Sequence, residues 1–435
     1  MRPLTPARPG AARLLLFGSG DFACNLYWQG VTLYLLFFYT DILGLSPVLA
    51  GFVYMAGAVW DGAADLLVGI AADRSRRGYG RFVAWGAVPL GLSFPLLFVL
   101  PGFDGWPLFA LVLGAQFAFR TLYALVNVPY AAWSARISDD SRDRTLVAGA
   151  RLLFGAAAAM LVALAMPGLG GGYGATAAIF AVAATPLLIV VARASPEHRR
   201  APTRSARAPV ADNLRALGRN RAFVTLNVAV VAAAIAGAVL NQSVLYYFTH
   251  VAGREEGGPA AFAAMALAGA IAVPVWTAAT VRIGARAAWL VAVAMGGMTL
   301  ASFAAVGGAW LALSFLVAMQ VVLTGLGLAG WAMLPNTVDY GEARQGLRVE
   351  ATAFGLSALL QKVALGAAAM GLGGYYAALG YDGGAVQGDA AREGIVWLMV
   401  AGPAAALAVS AVAMLANPLA RGVHRAVMTE LAGRG

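Results

Sequence analysis

Long apolar segments, separated by short polar connections, fill almost the whole chain and leave little choice of fold. Hydrophobic residues make up 61% of the 435 residues, and charged residues only 11%. A soluble domain carries about 25% charged residues, and it has no way to hide so much apolar surface from water. The sequence therefore predicts that lipid is the solvent, and that the chain is an all-α polytopic membrane protein.

A segment that crosses a hydrocarbon core of about 30 Å needs about 20 residues, and about twelve segments of the chain reach that length. They cover residues 12–39, 46–71, 82–100, 107–137, 145–166, 173–192, 222–251, 259–281, 287–307, 310–335, 351–379 and 394–415. The first segment resembles a signal peptide at its basic start. Because it continues past Asp21 without a small-residue cleavage site, it is interpreted as the first membrane span.

The arginines lie in alternate connections between the predicted spans, and this pattern predicts the orientation of the chain. The opposite set of connections holds only Arg254 and Arg392. Because basic residues accumulate on the cytoplasmic side, both termini are expected in the cytoplasm and the spans in the inner membrane. The same pattern accounts for the net charge of +10 without a nucleic-acid partner.

A basic segment at residues 193–221 divides the spans into two groups of six. It predicts an N-terminal half over 1–192, a cytoplasmic linker with a short helix near 211–217, and a C-terminal half with a short cytoplasmic tail over 222–435. An alternative role for the linker is a patch for anionic lipids. Two six-span halves are typical of the major-facilitator fold, in which solute binds near the middle of the membrane.

Several chemistries are not expected in this chain. Cys24 is the only cysteine, so it forms no internal disulfide, and no Cys/His cluster offers a metal site. The three histidines fall at or beyond the predicted span ends, so a buried histidine proton relay is not expected either. Without a phosphate-binding G-x-x-x-x-G-K-[ST] loop, transport must be driven by a gradient or by nothing, and no cofactor is expected.

Three ionisable side chains in the predicted spans favour a cation-coupling site. Asp61 and Asp65 are four residues apart, so their carboxylates share one helix face. In a low dielectric, two such anions need a proton, a metal cation or a basic side chain between them. Lys362 is the only lysine of the chain and lies deep in the eleventh span, where it can alternate with an incoming cation. The alternative is a static salt-bridge network that fixes the helices.

A second set of polar residues suits a ligand that carries many hydroxyl groups. Asp21 and Arg151 offer several acceptors and donors, and Tyr123 and Asn127 on the fourth span add an aromatic face and an amide. Arg151 lies only a few residues inside the predicted fifth span, so a role at the cytoplasmic end competes with ligand binding.

At these residues the sequence resembles the glycoside–pentoside–hexuronide:cation symporters. The first span, GDFACNLYWQGVTLYLLFFYTDILGLS, is similar to the opening helix of that family. Three further motifs match: WDGAADLLVGIAADRSRRGYGRF at 60–82, NVPYAAW at 127–133, and LPNTVDYGE at 334–342, which is followed by Arg348, Glu350 and Lys362. The matches lie in both halves and in the order of the family pattern.

The resemblance implies a role for each matching residue. The carboxylates and the partner of the coupling cation would be Asp61, Asp65 and Lys362. The solute contacts would be Asp21, Tyr123, Asn127 and Arg151. The cytoplasmic gating and charge-clamp contacts would be Asp73, Arg74, Arg77, Asp339 and Glu342.

Departures from the family pattern restrict which solute and which coupling ion are expected. The family's melibiose transporter has an aspartate at the position of Asn127, so melibiose itself is not the expected solute. Threonine and asparagine positions of the family's sodium site are Ala64, Ala124 and Ala358 here. A hard cation needs several oxygen ligands, whereas a proton needs only a carboxylate. The sequence therefore predicts coupling to protons rather than to sodium.

Arg120 is an ionisable residue that the family pattern does not supply. It lies on the fourth span, on the face that carries Tyr123 and Asn127. Paired with Asp61, it would replace part of the cation's charge and weaken coupling. As a substrate-binding residue, it would favour an anionic sugar derivative.

The resemblance implies a monomeric secondary active transporter, not an enzyme, that couples cation entry to sugar or glycoside uptake by alternating access. One alternative is a carrier of another solute class, either an anionic sugar derivative or a lysolipid. A second alternative is a membrane sensor or scaffold that transports nothing, although such a protein has no need of Asp61, Asp65 and Lys362 within lipid.

Overall fold

The structure, a computed structural model, describes residues 10–74, 78–99, 102, 104–134, 137, 141–169, 171–195, 210–306, 309–346, 350–383, 387–420 and 422–432. Its α-helices are α1 Ala11–Phe37, α2 Pro47–Arg74, α3 Tyr79–Leu96, α4 Gly105–Trp133, α5 Ser141–Ala165, α6 Tyr173–Ala194, α7 Val210–Arg219, α8 Arg221–Tyr246, α9 Gly257–Ile283, α10 Ala285–Val306, α11 Ala309–Gln345, α12 Glu350–Ala378, α13 Asp389–Leu415 and α14 Val423–Ala432. Two π-helical turns, Phe38–Ile42 and Tyr247–Val251, directly follow α1 and α8.

The predicted spans correspond to the long helices α1 to α6 and α8 to α13, and the short linker helix corresponds to α7. In the part of the chain that the structure describes, nine helices are long and apolar enough to cross a membrane, namely α2, α4, α6 and α8 to α13. The all-α, multi-span fold predicted from composition is therefore confirmed.

The clearest difference from the predicted boundaries lies in α11. The sequence predicts that this span ends at Pro335, but the helix continues to Gln345. Proline removes a backbone donor without requiring the helix to stop. Beyond it, the Asn220 amide donates to the Thr337 carbonyl over 2.7 Å, which stabilises the extension against the start of α8.

Contacts divide the chain into two compact units. The first contains Met1–Phe38 and Trp60–Arg204, and the second contains Tyr39–Val59 and Ser205–Gly435. The segment Tyr39–Val59 belongs to the N-terminal half in sequence, but it packs within the second unit. The predicted division into halves at residues 192 and 222 remains a prediction.

Glycines bring α1 close to α4 and α5 in the first unit. A Cβ atom at Gly18 would lie 2.7 Å from Cβ of Ala150 on α5. At Gly20, a Cβ atom would lie 2.7 Å from the ring of Tyr130, whose hydroxyl donates to the Phe17 carbonyl over 2.7 Å. The Tyr130 ring therefore fills the space that a side chain at position 20 would need.

Substituting Gly18 with valine should therefore separate α1 from α5. Overpacking of this kind costs about 1–3 kcal/mol, so we expect a clearly lower midpoint of thermal unfolding in detergent. The matched control is Gly149→Val on α5, because a Cβ atom at Gly149 meets nothing within 4 Å. Equal midpoints for the two variants would contradict this description of the α1–α5 contact.

Candidate solute and coupling site

A buried ion pair joins α2 and α4 inside the first unit. The guanidinium Nη1 of Arg120 lies 3.4 Å from Oδ2 of Asp61, and their side chains are only 2% and 0% exposed. Such a pair persists at this depth because each charge compensates the desolvation of the other. The geometry is the salt bridge that was one of the two interpretations of Arg120.

Neighbouring side chains hold the Arg120 guanidinium in place. Its Nε donates to Oε1 of Gln116, one turn earlier on α4, over 3.3 Å. Its Cζ lies 5.4 Å from the ring centroid of Trp28 on α1, a cation–π distance. Next to the pair, the Trp60 indole donates to the Thr121 hydroxyl over 2.8 Å and ties α2 to α4 again.

Aromatic rings extend from this pair along α1 and α4. The Tyr123 ring is stacked on Trp28 with centroids 5.5 Å apart, and on Phe119 with centroids 5.8 Å apart. Tyr123 is buried, whereas Trp28 and Asn127 are half-buried. Tyr123 thus stacks on protein rings, of which Trp28 is the more accessible, and its predicted contact with a ligand remains a prediction.

A second ion pair joins α1 and α5. Both Nε and Nη2 of Arg151 donate to Oδ1 of Asp21, over 2.9 and 2.8 Å. The Asn25 amide donates to Oδ2 of Asp21 over 3.1 Å, and the Arg151 guanidinium also lies 5.0 Å from the ring centroid of Tyr130. The side chains of Arg151 and Asp21 remain 24% and 16% exposed, so this pair is more accessible than Arg120–Asp61.

Arg151 lies deeper in its helix than the sequence predicted. The helix α5 begins at Ser141 rather than near residue 145, which places Arg151 almost three turns inside it. Gly155 permits the close approach of α5 to α1, because a Cβ atom there would lie 3.1 Å from Oδ2 of Asp21.

The other predicted coupling residues lie in different units. Asp65 is half-buried and follows Asp61 by one turn on α2, in the first unit. Lys362 is half-buried on α12, in the second unit. The pairing of Lys362 with the two aspartates remains a prediction.

The predicted cytoplasmic motif is described only in part. Asp73 and Arg74 end α2, and their side chains lie outside the description, as does the whole of Arg77. Asp339 and Glu342 are half-buried in the extension of α11 beyond Pro335. Their gating and clamping roles remain predictions.

Sequence reasoning missed three residues that contact this site. Gln116, Trp28 and Trp60 all touch or flank the Arg120–Asp61 pair. Gln116 and Arg120 are four residues apart, a spacing that could have indicated their contact. The approach of Trp28 depends on the packing of α1 against α4, for which the sequence carries no local signal.

The sequence is similar to a family of membrane transporters. The family model "MFS/sugar transport protein" matches residues 16–421. The chain is 26% identical to the uncharacterized symporter YnaJ of Bacillus subtilis, over 87% of this chain and 86% of that protein. It is also 26% identical to the isoprimeverose transporter of Lactiplantibacillus pentosus, over 92% and 87% of the two chains. A glucuronide carrier protein homolog of Escherichia coli is likewise 26% identical, over 83% of each chain.

Among solved structures, the fold is similar to a bacterial homolog of the human lysosomal transporter Spinster. The TM-score is 0.69 at 13% identity, and 98% of this chain and 99% of that chain are covered. The fold is therefore the major-facilitator fold. The family model and the relatives, which are named as symporters and transporters, show a multi-pass membrane transporter rather than an enzyme. Within that class, the chain belongs to the MFS/sugar transport family, which contains the glycoside–pentoside–hexuronide type of transporter.

The Arg120–Asp61 pair makes a testable contribution to stability. Arg120→Met leaves a buried carboxylate without its counter-charge, a change that costs about 3–5 kcal/mol, and adding Asp61→Asn should restore most of the loss. Thermal unfolding of the single and double variants measures this coupling.

The matched control is Arg151→Met, because the Asp21 carboxylate that it leaves is partly exposed to solvent. The Arg151→Met variant should therefore lose less thermal stability than the Arg120→Met variant. If Arg120→Met unfolds at the temperature of the wild type, the ion pair does not stabilise the first unit.

Proposed function

We propose that the chain is a proton-coupled symporter of a neutral sugar or glycoside that works by alternating access. The observation that carries the proposal is the Arg120–Asp61 ion pair one helical turn from Asp65. The distribution of arginines supports an orientation in the inner membrane with both termini in the cytoplasm.

Because Arg120 pairs with Asp61, the proposed mechanism gives Asp61 and Asp65 different roles. The Arg120 guanidinium keeps its charge under all ordinary conditions and lies 3.4 Å from Asp61, so the proposal assigns Asp61 to Arg120 as its counter-charge. Asp65 is then the carboxylate whose protonation changes the charge of the cluster. In this mechanism a proton on Asp65 removes its attraction for Lys362, and solute binding follows.

The surroundings of these carboxylates favour a proton over sodium. Ala64 and Ala124 are buried at positions where the family pattern provides oxygen ligands, and Ala358 replaces a third. Methyl groups offer nothing to a hard cation, whereas protonation of Asp65 needs no further ligand.

The charge balance of the first unit favours a neutral solute. Arg120 and Arg151 are each paired with an aspartate, so neither presents an uncompensated positive charge to an anion. The partly exposed Asp21–Arg151 pair has donors and acceptors for sugar hydroxyls, and Trp28 with Tyr123 forms an aromatic platform. The relatives are named for different solutes, isoprimeverose and a glucuronide, so this argument rests on the residues of this chain.

A second candidate function is uncoupled exchange of the same solutes. The same ion pair supports it, because Arg120 places a permanent positive charge beside a carboxylate that the family pattern assigns to the cation. Protonation of Asp65 distinguishes the two functions, since uncoupled exchange does not require it.

The Asp65→Asn variant should separate energy coupling from solute movement. We expect it to equilibrate solute by exchange across proteoliposomes but to lose accumulation against a gradient, because the amide accepts no proton. Asp104→Asn, which changes an exposed residue before α4, is the matched control and should accumulate solute normally. Undiminished accumulation by Asp65→Asn would reject the assignment of Asp65.

Competition between solutes tests the charge argument. Neutral pentosides and hexosides should inhibit uptake of a transported glycoside, whereas uronides and lysolipids should not. Arg151→Lys replaces a guanidinium fork by a single ammonium, so we expect an apparent affinity about tenfold weaker, equivalent to about 1.4 kcal/mol. Stronger inhibition by uronides than by neutral glycosides would contradict a neutral solute.

A further inference from the structure

A polar cluster with little solvent exposure lies at the end of the first helix, within the second unit. Oδ1 of Asp41 lies 2.7 Å from Nε2 of His250 and accepts a hydrogen bond from the Tyr381 hydroxyl over 2.6 Å. Oδ2 of Asp41 accepts from the Thr40 hydroxyl over 2.6 Å. The side chains of His250 and Asp41 are only 9% and 5% exposed.

The two π-helical turns place the acid and the imidazole at matching positions. Asp41 is the fourth residue of Phe38–Ile42, and His250 is the fourth residue of Tyr247–Val251. π-Helical turns are rare and occur frequently at functional sites. The sequence places His250 at a span end and therefore predicts no buried histidine in proton chemistry. In the structure His250 lies at that span end, and its side chain is only 9% exposed.

The distances describe a shared proton rather than a metal site. A carboxylate oxygen and a ring nitrogen 2.7 Å apart need a hydrogen between them, since two lone pairs would repel. Two ligands of one zinc ion, each about 2.0–2.2 Å from the metal in tetrahedral geometry, lie more than about 3 Å apart, farther than this oxygen and nitrogen. Among the described residues, no group of three or more His, Cys, Asp or Glu side chains is arranged to hold a metal ion.

Tyrosines and arginines complete the surroundings of the pair. The Tyr381 hydroxyl lies 2.8 Å from Nε2 of His250, and the Tyr246 hydroxyl lies 2.8 Å from the Thr40 hydroxyl. Burial, and then the charge of Asp41, raise the pKa of Tyr381 far above its ordinary value, so its hydroxyl remains a donor. The aromatic groups packed around the pair are Tyr246 on α8, Tyr376 on α12 and Tyr381 after it. Arg392 on α13 donates to the Val251 carbonyl over 3.3 Å. Before α9, the backbone N–H of Arg254 donates to the Phe248 carbonyl over 2.8 Å.

The cluster anchors a segment that packs closely on α12. A Cβ atom at Gly51 would lie 2.8 Å from the Ala369 carbonyl oxygen, and one at Gly366 would lie 2.9 Å from Cα of Met55. Gly383 directly faces the Thr40 carbonyl. The segment Tyr39–Val59 is therefore fixed to the second unit by backbone contacts along its length, and by the Asp41 hydrogen bonds at its start.

We propose that Asp41 and His250 form a proton-binding site, separate from Asp61 and Asp65, whose occupancy sets how firmly Tyr39–Val59 is held to the second unit. With a second proton on the imidazole, His250 and Asp41 form a buried ion pair with charge-assisted hydrogen bonds. Without it, only a neutral imidazole donates to the carboxylate. Tyr381 is the positioning residue, because its hydroxyl contacts both partners.

Loss of the second proton from the imidazole removes the ion pair, so the attachment of this segment should weaken as the pH rises. The contribution is present when His250 is charged and lost when it is neutral. The proposal does not depend on proton-coupled transport, and its test needs no solute.

Hydrogen–deuterium exchange of the purified protein measures directly how firmly Tyr39–Val59 is held to the second unit. Between about pH 5.5 and 8, and after correction for the intrinsic exchange rate, exchange in Tyr39–Val59 should increase about fivefold or more in the wild type. The increase should be absent in His250→Gln, which keeps an N–H donor but cannot become charged. If that variant does not fold, Asp41→Asn gives the same comparison.

Tyr375→Phe is the matched control, since it removes a hydroxyl from α12 six residues before Tyr381 and should keep the wild-type response. Tyr381→Phe should raise exchange at every pH. A wild type without a pH response, or a His250→Gln variant with the wild-type response, would overturn the proposal.

Discussion

The ion pair between Arg120 and Asp61 is the interaction on which the interior of the first unit depends. Removing each charge from water costs several kcal/mol, and only the opposite charge at 3.4 Å compensates it. The pair therefore fixes α2 against α4, and Trp28 from α1 and Gln116 from α4 settle around the guanidinium. In the proposed mechanism it also leaves Asp65 as the carboxylate that binds the proton, because Asp61 already lies beside a permanent counter-charge.

The same balance of charge is repeated between α1 and α5. Arg151 and Asp21 form a bidentate pair, but it is less buried and has Asn25 and Tyr130 as further partners. One pair is thus enclosed and suited to holding helices, and the other is accessible and suited to a polar ligand. Close contacts between α1 and α5 at Gly18 and Gly155 allow the Asp21–Arg151 pair to form.

Much of the fold was predictable because lipid restricts a chain to long apolar helices, and such segments are visible in the sequence. The ion pair of Arg120 was predictable as one of two interpretations, since a buried arginine needs an anion. Three features were not predictable: the π-turns, the continuation of α11 past Pro335, and the low exposure of the His250 side chain. They depend on contacts between residues distant in the chain, such as Asp41 with Tyr381, for which the local pattern carries no signal.

The central claim is that a proton, carried by Asp65 beside a fixed Arg120–Asp61 pair, drives entry of a neutral glycoside. Solute-elicited proton movement into proteoliposomes, followed with a pH-sensitive dye with and without sodium, tests it most directly. The account predicts that a neutral pentoside or hexoside carries a single proton inward for each molecule, to the same extent in sodium-free medium. A response that requires sodium, or solute entry without any proton movement, would contradict it.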